Sequence, residues 1–177
     1  MSKQVPLITI IGKSRSGKTT LMEKLIHELK RRGYRVGTIK HHSHRGFEID
    51  QPGKDSWRHA QAGSDHVVIA SPDRIASYRN LEHELVLDDI AYGMTDVDII
   101  LTEGYLQAGK PTIQVIREAN GLELIGPAEQ CIAIATDAML LVETPCYDLN
   151  DFVALADLLD RLFLSEPPVK NPGLAQT

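Results

Sequence analysis

Apolar, β-branched runs alternate along this chain with segments whose apolar positions recur every three or four residues, a pattern that predicts strand and helix in turn. Val5 to Ile11 is uninterrupted by charge and stops at Gly12, as expected of a strand buried on both faces of a parallel sheet. From Lys18 onward Leu21, Leu25, Ile26 and Leu29 fall at helical spacing, and Lys30, Arg31 and Arg32 before Gly33 supply a cationic last turn and a stop. Tyr34 to Lys40 returns as a strand, so the first forty residues predict a β-α-β unit. The polar stretch His41 to Gly53 reads as a loop and Lys54 to Ala62 as a short helix; His66 to Ala70 and Arg74 to Tyr78 read as a hairpin about Ser71-Pro72-Asp73. Further on, the pattern predicts a helix over Leu81 to Tyr92. Strands follow over Val97 to Leu101, Thr112 to Arg117 and Ile132 to Ala135, then an amphipathic helix over Asp151 to Leu164, capped by Asn150 or Asp151. The expectation is a single α/β domain over residues 1–164, with a mainly parallel sheet covered by helices on both faces. Residues 165–177, with three prolines and little to bury, are expected to be loosely ordered.

Composition narrows the function classes. Against 19 Lys plus Arg stand 24 Asp plus Glu, and a net charge of -5 lacks the basic footprint of a nucleic-acid binder. No apolar run approaches the roughly 18 residues needed to span a bilayer, and no secretory leader pattern opens the chain. A cytoplasmic protein without nucleic-acid or membrane partners is the expectation. Two cysteines, Cys131 and Cys146, form no CxxC pair and read as reduced packing residues.

The chemistry concentrates in Gly12-Lys13-Ser14-Arg15-Ser16-Gly17-Lys18-Thr19, which matches G-x-x-x-x-G-K-[ST] and lies between a predicted strand and a predicted helix. Glycines let such a loop turn its N–H groups around a phosphate, and the following helix presents its positive end to the same anion. Lys18 is then expected to reach the β- and γ-phosphates and the Thr19 hydroxyl to ligate Mg²⁺, within a P-loop NTPase fold. A second metal contact calls for a carboxylate at a neighbouring strand end. Glu103, just past the Val97 to Leu101 strand, is better placed than Asp98 at its start. Asp50, in the loop after the second strand, is a candidate for the metal or the attacking water. A solvated loop acid is the alternative for each.

Other residues carry weaker signals. His41, His42 and His44 suit a transition metal poorly, since neighbours in an extended chain point to opposite sides and no cysteine joins them; phosphate contact or a solvated loop are the other readings. Lys40, Lys54 and Arg74 are candidate cations for anionic ligand groups, or plain surface charges. The N/T-K-x-D signature that reads guanine in many GTPases is absent. Asp137, following the strand that ends at Ala135, is placed to accept hydrogen bonds from a guanine edge instead.

Ile10-Ile11-Gly12 with Ser16-Gly17-Lys18-Thr19-Thr20-Leu21, Gly37-Thr38-Ile39-Lys40-His41-His42, Asp50-Gln51-Pro52-Gly53-Lys54-Asp55-Ser56 and Leu101-Thr102-Glu103-Gly104-Tyr105 occur here in order. Together they resemble the molybdopterin-guanine dinucleotide biosynthesis protein B (MobB) family over about residues 5–164. The resemblance implies a homodimeric GTP-binding accessory protein with weak GTPase activity, assisting a partner guanylyltransferase and, through it, molybdoenzymes or their chaperones. It implies that Gly12 to Thr20 hold phosphates, that Thr19 and Glu103 serve Mg²⁺, and that Asp50 sits by the γ-phosphate. Lys54, Arg74 and Asp137 carry over more loosely. Lys13 reads as a solvated lysine at the loop mouth or, by its resemblance to the signature lysine of deviant P-loops, as one that reaches a partner subunit's phosphates, although Ser14 and Arg15 stand where such loops have glycines. A small-molecule kinase and a metallochaperone GTPase remain the other readings; the first lacks an arginine-rich lid and the second a Cys/His site.

Overall fold

The computed structural model describes residues 5–42 and 46–164; His44 and the tail 165–177 lie outside the described residues. These group into two compact units, residues 5–41 with 86–164, and residue 42 with 46–85. The first unit is built on a six-stranded sheet from β1 (Leu7–Ile11), β2 (Val36–Lys40), β5 (Ile99–Glu103), β6 (Thr112–Ile116), β7 (Cys131–Thr136) and β8 (Cys146–Asp148). Their order is β2-β5-β1-β6-β7-β8, and every neighbouring pair runs parallel. The apolar runs form these strands because the central ones are covered on both faces: every residue of β1 and β6 is buried. On one face α1 (Lys18–Arg31) and α4 (Phe152–Phe163) bury Leu21, Leu25, Leu29, Leu155 and Leu159 against Ile8, Ile10, Ile113 and Val115. On the other, α3 (Leu87–Tyr92) sets Leu87, Ile90 and Ala91 against Leu7, Ile39 and Ile100.

Four local findings depart from the sequence reading. Helix is confined to Leu87–Tyr92 instead of 81–92, because only there do apolar residues repeat at i, i+3 and i+4, and Asp88 and Asp89 favour a helix start. Strand β5 begins two residues late, after Asp98, whose carboxylate takes Arg35 N–H and guanidinium bonds at 2.7 Å each; Glu103 is thus the strand's last residue. The short edge strand β8 was not foreseen. Asp151 caps α4 as expected, accepting Ala154 N–H at 3.1 Å. Both cysteines are free, and Cys146 is exposed instead of packed.

In the second unit, α2 (Asp55–Gln61) precedes an antiparallel hairpin of β3 (His66–Ala70) and β4 (Ile75–Arg79). Val67 is buried there, while Val68, Ile69 and Ile75 are exposed. Among the described residues no helix is long and apolar enough to cross a membrane.

An ionic network joins α1 to α4. The Glu28 side chain, 4% exposed, accepts bonds at 2.8 Å from Arg31 and Arg32; Arg32 also reaches Asp157 at 2.7 Å, and Tyr34 OH donates to Asp160. The Arg31 and Arg32 hydrogen bonds hold the Glu28 carboxyl down at about 2, against an ordinary 4.5. Because the folded value is the depressed one, this contribution to stability is complete above pH 4.5 and fades as pH falls towards 2. Urea midpoints taken between pH 5 and pH 2.5 are therefore expected to fall steeply, and Glu28→Gln to flatten that slope. An unchanged slope in the variant would show that other carboxylates govern acid unfolding.

Candidate functional site

Strand β1 is central, with β5 and β6 on either side, and the chain leaves it towards β2 on one flank and reaches β6 on the other. Such a switch point opens a crevice at the carboxyl ends of the strands. Gly12 to Gly17 line it between β1 and α1. A Cβ on Gly12 would lie 2.5 Å from the Val115 carbonyl oxygen and 2.7 Å from Ser16 Oγ, so only glycine permits the loop to pass this close to β6. The turn is closed by Ser16 N–H on the Lys13 carbonyl at 3.3 Å, with Ser14 and Arg15 exposed at its tip and Arg15 at a φ of 60°. Gly17, at φ 100°, is the N-cap of α1 and leaves the helix without a side-chain cap. The first-turn N–H groups, those of Thr19 and Thr20 among them, thus have no protein acceptor from such a cap and are available to an anion.

Three more observations fit a bound phosphate and its metal. Ser16 Oγ is buried and makes no hydrogen bond to the protein. Lys18 Nζ curls back across the loop and donates to the Lys13 carbonyl at 2.8 Å. The Thr19 hydroxyl donates to both Glu103 carboxylate oxygens, at 3.1 and 3.2 Å, which brings together two hard oxygen donors of the kind Mg²⁺ takes. Register explains that meeting: Glu103 ends β5 opposite Ile10 of β1, two residues before the loop. Lys40 Nζ, at the end of β2, lies 3.7 Å from the same carboxylate.

Arg117, just past β6, was missed by the sequence reading. Its Nε lies 3.4 Å from the Ser16 carbonyl, and its guanidinium 3.6 Å from Asp137 Oδ2, while Glu118 N–H donates to Asp137 Oδ1 at 2.8 Å. Arg117 therefore links the P-loop to Asp137 at the end of β7. The signal for it was available: a lone arginine closing an apolar strand run beside the P-loop strand. Lys13 Nζ engages the Asn120 carbonyl at 2.9 Å and the Glu123 carboxylate, both of its own chain.

The remaining candidates are less directly tied to the loop. His41 donates its N–H to the Glu103 carbonyl at 3.0 Å and sets its ring 4.6 Å from that of Tyr105, which follows Gly104 at a φ of 58°. His42, in the second unit, lies 5.9 Å from Phe47. Asp50 and Arg74 also belong to the second unit. There Asp50 is held by Ser56, by Tyr78 OH at 2.8 Å and by the Gln51 N–H, and those bonds lower its pKa. Arg74 is 88% exposed, beside Asp73.

A family model described as molybdopterin guanine dinucleotide synthesis protein B matches residues 7–137. The molybdopterin-guanine dinucleotide biosynthesis adapter protein of Haemophilus influenzae is 39% identical over 163 residues, spanning 91% of this chain and 91% of the relative. Its namesake in Escherichia coli K12 is 36% identical over 161 residues, 88% of this chain and 91% of that one. The crystal structure of a molybdopterin-guanine biosynthesis protein B superposes with a TM-score of 0.71 at 28% identity, covering 88% of this chain and 99% of that chain. With its P-loop, its Thr19 and Glu103 pair and its all-parallel sheet, the chain belongs to the MobB family.

Proposed function

We propose that this chain is a GTP-binding adapter in the making of molybdopterin guanine dinucleotide, lending a nucleotide-dependent surface to a partner guanylyltransferase and carrying weak GTPase activity of its own. The observation that carries the reading is the Thr19 hydroxyl bonded to Glu103 beside an uncapped helix start and a curled Lys18, in a chain of this family. The first-turn N–H groups of α1 would take phosphate oxygens, Lys18 would uncurl to the β- and γ-phosphates, and Thr19 with Glu103 would hold Mg²⁺. When bound, that ion neutralises phosphate charge. Asp137, paired with Arg117, accepts hydrogen bonds from the guanine edge. The protein works in the cytoplasm as a homodimer.

Calorimetry with GTP and Mg²⁺, followed by co-purification from cell extract, tests the reading. GTP binding and recovery of a guanylyltransferase are expected. Absence of binding would end it, and so would an acceptor panel in which phosphate transfer outpaces hydrolysis. Glu103→Gln is expected to leave GTP affinity within about 5-fold while hydrolysis falls about 10-fold or more, since the lost charge matters most where metal and γ-phosphate are aligned. Hydrolysis at the wild-type rate would leave Glu103 a strand-end acid with no part in turnover.

A further inference from the structure

Lys13 follows the first P-loop glycine, where analogy with deviant P-loops directs a lysine towards phosphate. Its contacts run elsewhere. Nζ donates to the Asn120 carbonyl at 2.9 Å and to the Glu123 carboxylate, and Asn120 Nδ2 donates back to the Ser14 carbonyl at 3.3 Å. Gly121, at φ 89°, packs its backbone onto this pair so closely that a Cβ would lie 2.6 Å from Glu123 Oε2 and 2.9 Å from Lys13 Nζ. The loop that supplies these groups is itself fixed at both ends. Glu118 N–H donates to Asp137 at 2.8 Å, and Ile125 N–H to the buried Gln114 Oε1 at 2.9 Å. Between loop and P-loop remains a cavity of only about 10 Å³, lined by Gly12, Ser16, Gln114 and Glu123 among others, room for about one water.

We propose that Lys13 and Glu123 form an intramolecular clasp that fixes the first turn of the P-loop against the loop 118–126, so that Lys13 is a positioning residue and not a phosphate ligand. The consequence lies in the chemistry of the turn. The Lys13 carbonyl receives both Lys18 Nζ and Ser16 N–H, so the clasp holds the residue on which the loop closes and on which the phosphate-seeking lysine rests. Pinning that residue before nucleotide arrives spares the cost of ordering it on binding. The pair is exposed, 40% at Lys13 and 72% at Glu123, so each partner alone is worth a few-fold and no more. The same clasp makes nucleotide occupancy felt in the loop 118–126, whose Leu122 and Leu124 are each 43% exposed.

The inference rests on the P-loop reading, and two measurements separate the failure of one from the failure of the other. Without nucleotide, hydrogen exchange of residues 13–17 and 118–126 is expected to quicken in both segments together in Lys13→Ala and in Glu123→Ala, and to stay slow in Lys13→Arg, which keeps a donor for both acceptors. Calorimetry with GTP and Mg²⁺ is expected to show each alanine variant about 2- to 5-fold weaker, and the double variant no weaker than the worse single one. A phosphate-ligand role predicts the opposite sign for Glu123: its removal would free Lys13 and tighten GTP. Tighter binding in Glu123→Ala, additive losses in the double variant, or exchange unaltered in both alanine variants would each overturn the clasp. If the wild-type protein bound no GTP, the nucleotide reading would fall while the exchange arm still decided the clasp. Circular dichroism confirms that each variant is folded before either measurement is read.

Discussion

Lys18→Ala is expected to lower GTP affinity about 100-fold or more while leaving thermal stability nearly unchanged. The two halves of that expectation have separate causes. Lys18 is the first residue of α1, only partly buried, and its amine donates to the Lys13 carbonyl, so its removal empties no core space. Alanine is also the better helix former. Towards a triphosphate the same side chain is a cation that can leave one neutral carbonyl for two anionic oxygens, and a charge-assisted bond of that kind is about twice as strong as a neutral one. Calorimetry with Mg²⁺ present and a melting curve on the same sample check both halves. Affinity within about 3-fold of wild type would remove the P-loop reading itself, because no other lysine stands in the first turn of the helix that the loop feeds.

The contrast between Lys18 and Lys13 shows where sequence reasoning reaches. Strands β1, β5, β6 and β7 were legible because burial on both faces writes an apolar run, and α1 because Leu21, Leu25 and Leu29 face one core. The P-loop was legible because its physics is local: two glycines, a lysine and a hydroxyl at fixed spacing. Glu103 needed only the rule that ligands collect at strand carboxyl ends, and the register of β5 on β1 then set it beside Thr19. Three residues of β8, none fully buried, write no such pattern. The partner of Lys13 was invisible for another reason. Glu123 is 110 residues away in an irregular loop, and nothing in a hydrophobic pattern reports which loop acid meets which cation. Analogy offered Lys13 another subunit's phosphate beside the plainer reading of a solvated lysine, and neither names the Glu123 and Asn120 that it meets in this chain. Arg117 lies between these cases. Its position at a strand end was readable, but its bridge from Ser16 to Asp137 depends on the order β1-β6-β7, which local sequence does not contain.

Gly12→Ala is the substitution expected to do most damage to site and fold together. The added Cβ would lie 2.5 Å from the Val115 carbonyl oxygen, and that oxygen belongs to the backbone of β6, a strand buried along its whole length. It cannot swing aside as a side-chain tip does. Ser16 Oγ, 2.7 Å from the same point, can rotate, but Ser16 is buried and the loop closes on it. Relief therefore requires β1 and β6 to part or the P-loop to lift, and a forced displacement of this kind in a packed interior costs about 1–3 kcal/mol. Lifting the loop also misaligns the N–H groups that would face phosphate, so GTP affinity is expected to fall about 10- to 100-fold beyond any loss of folded protein. Gly17→Ala is the control that separates space from strain. A Cβ there would meet nothing closer than the Arg117 guanidinium at 3.6 Å, while a φ of 100° still penalises alanine. Both variants should therefore lose stability, but only Gly12→Ala should disturb the β1 and β6 ladder. Amide exchange across Ile113, Gln114 and Val115 reads that ladder directly. Quickened exchange there in Gly12→Ala but not in Gly17→Ala is the expected result, and equal exchange in both would show that the β6 carbonyl is not what the first P-loop glycine makes room for.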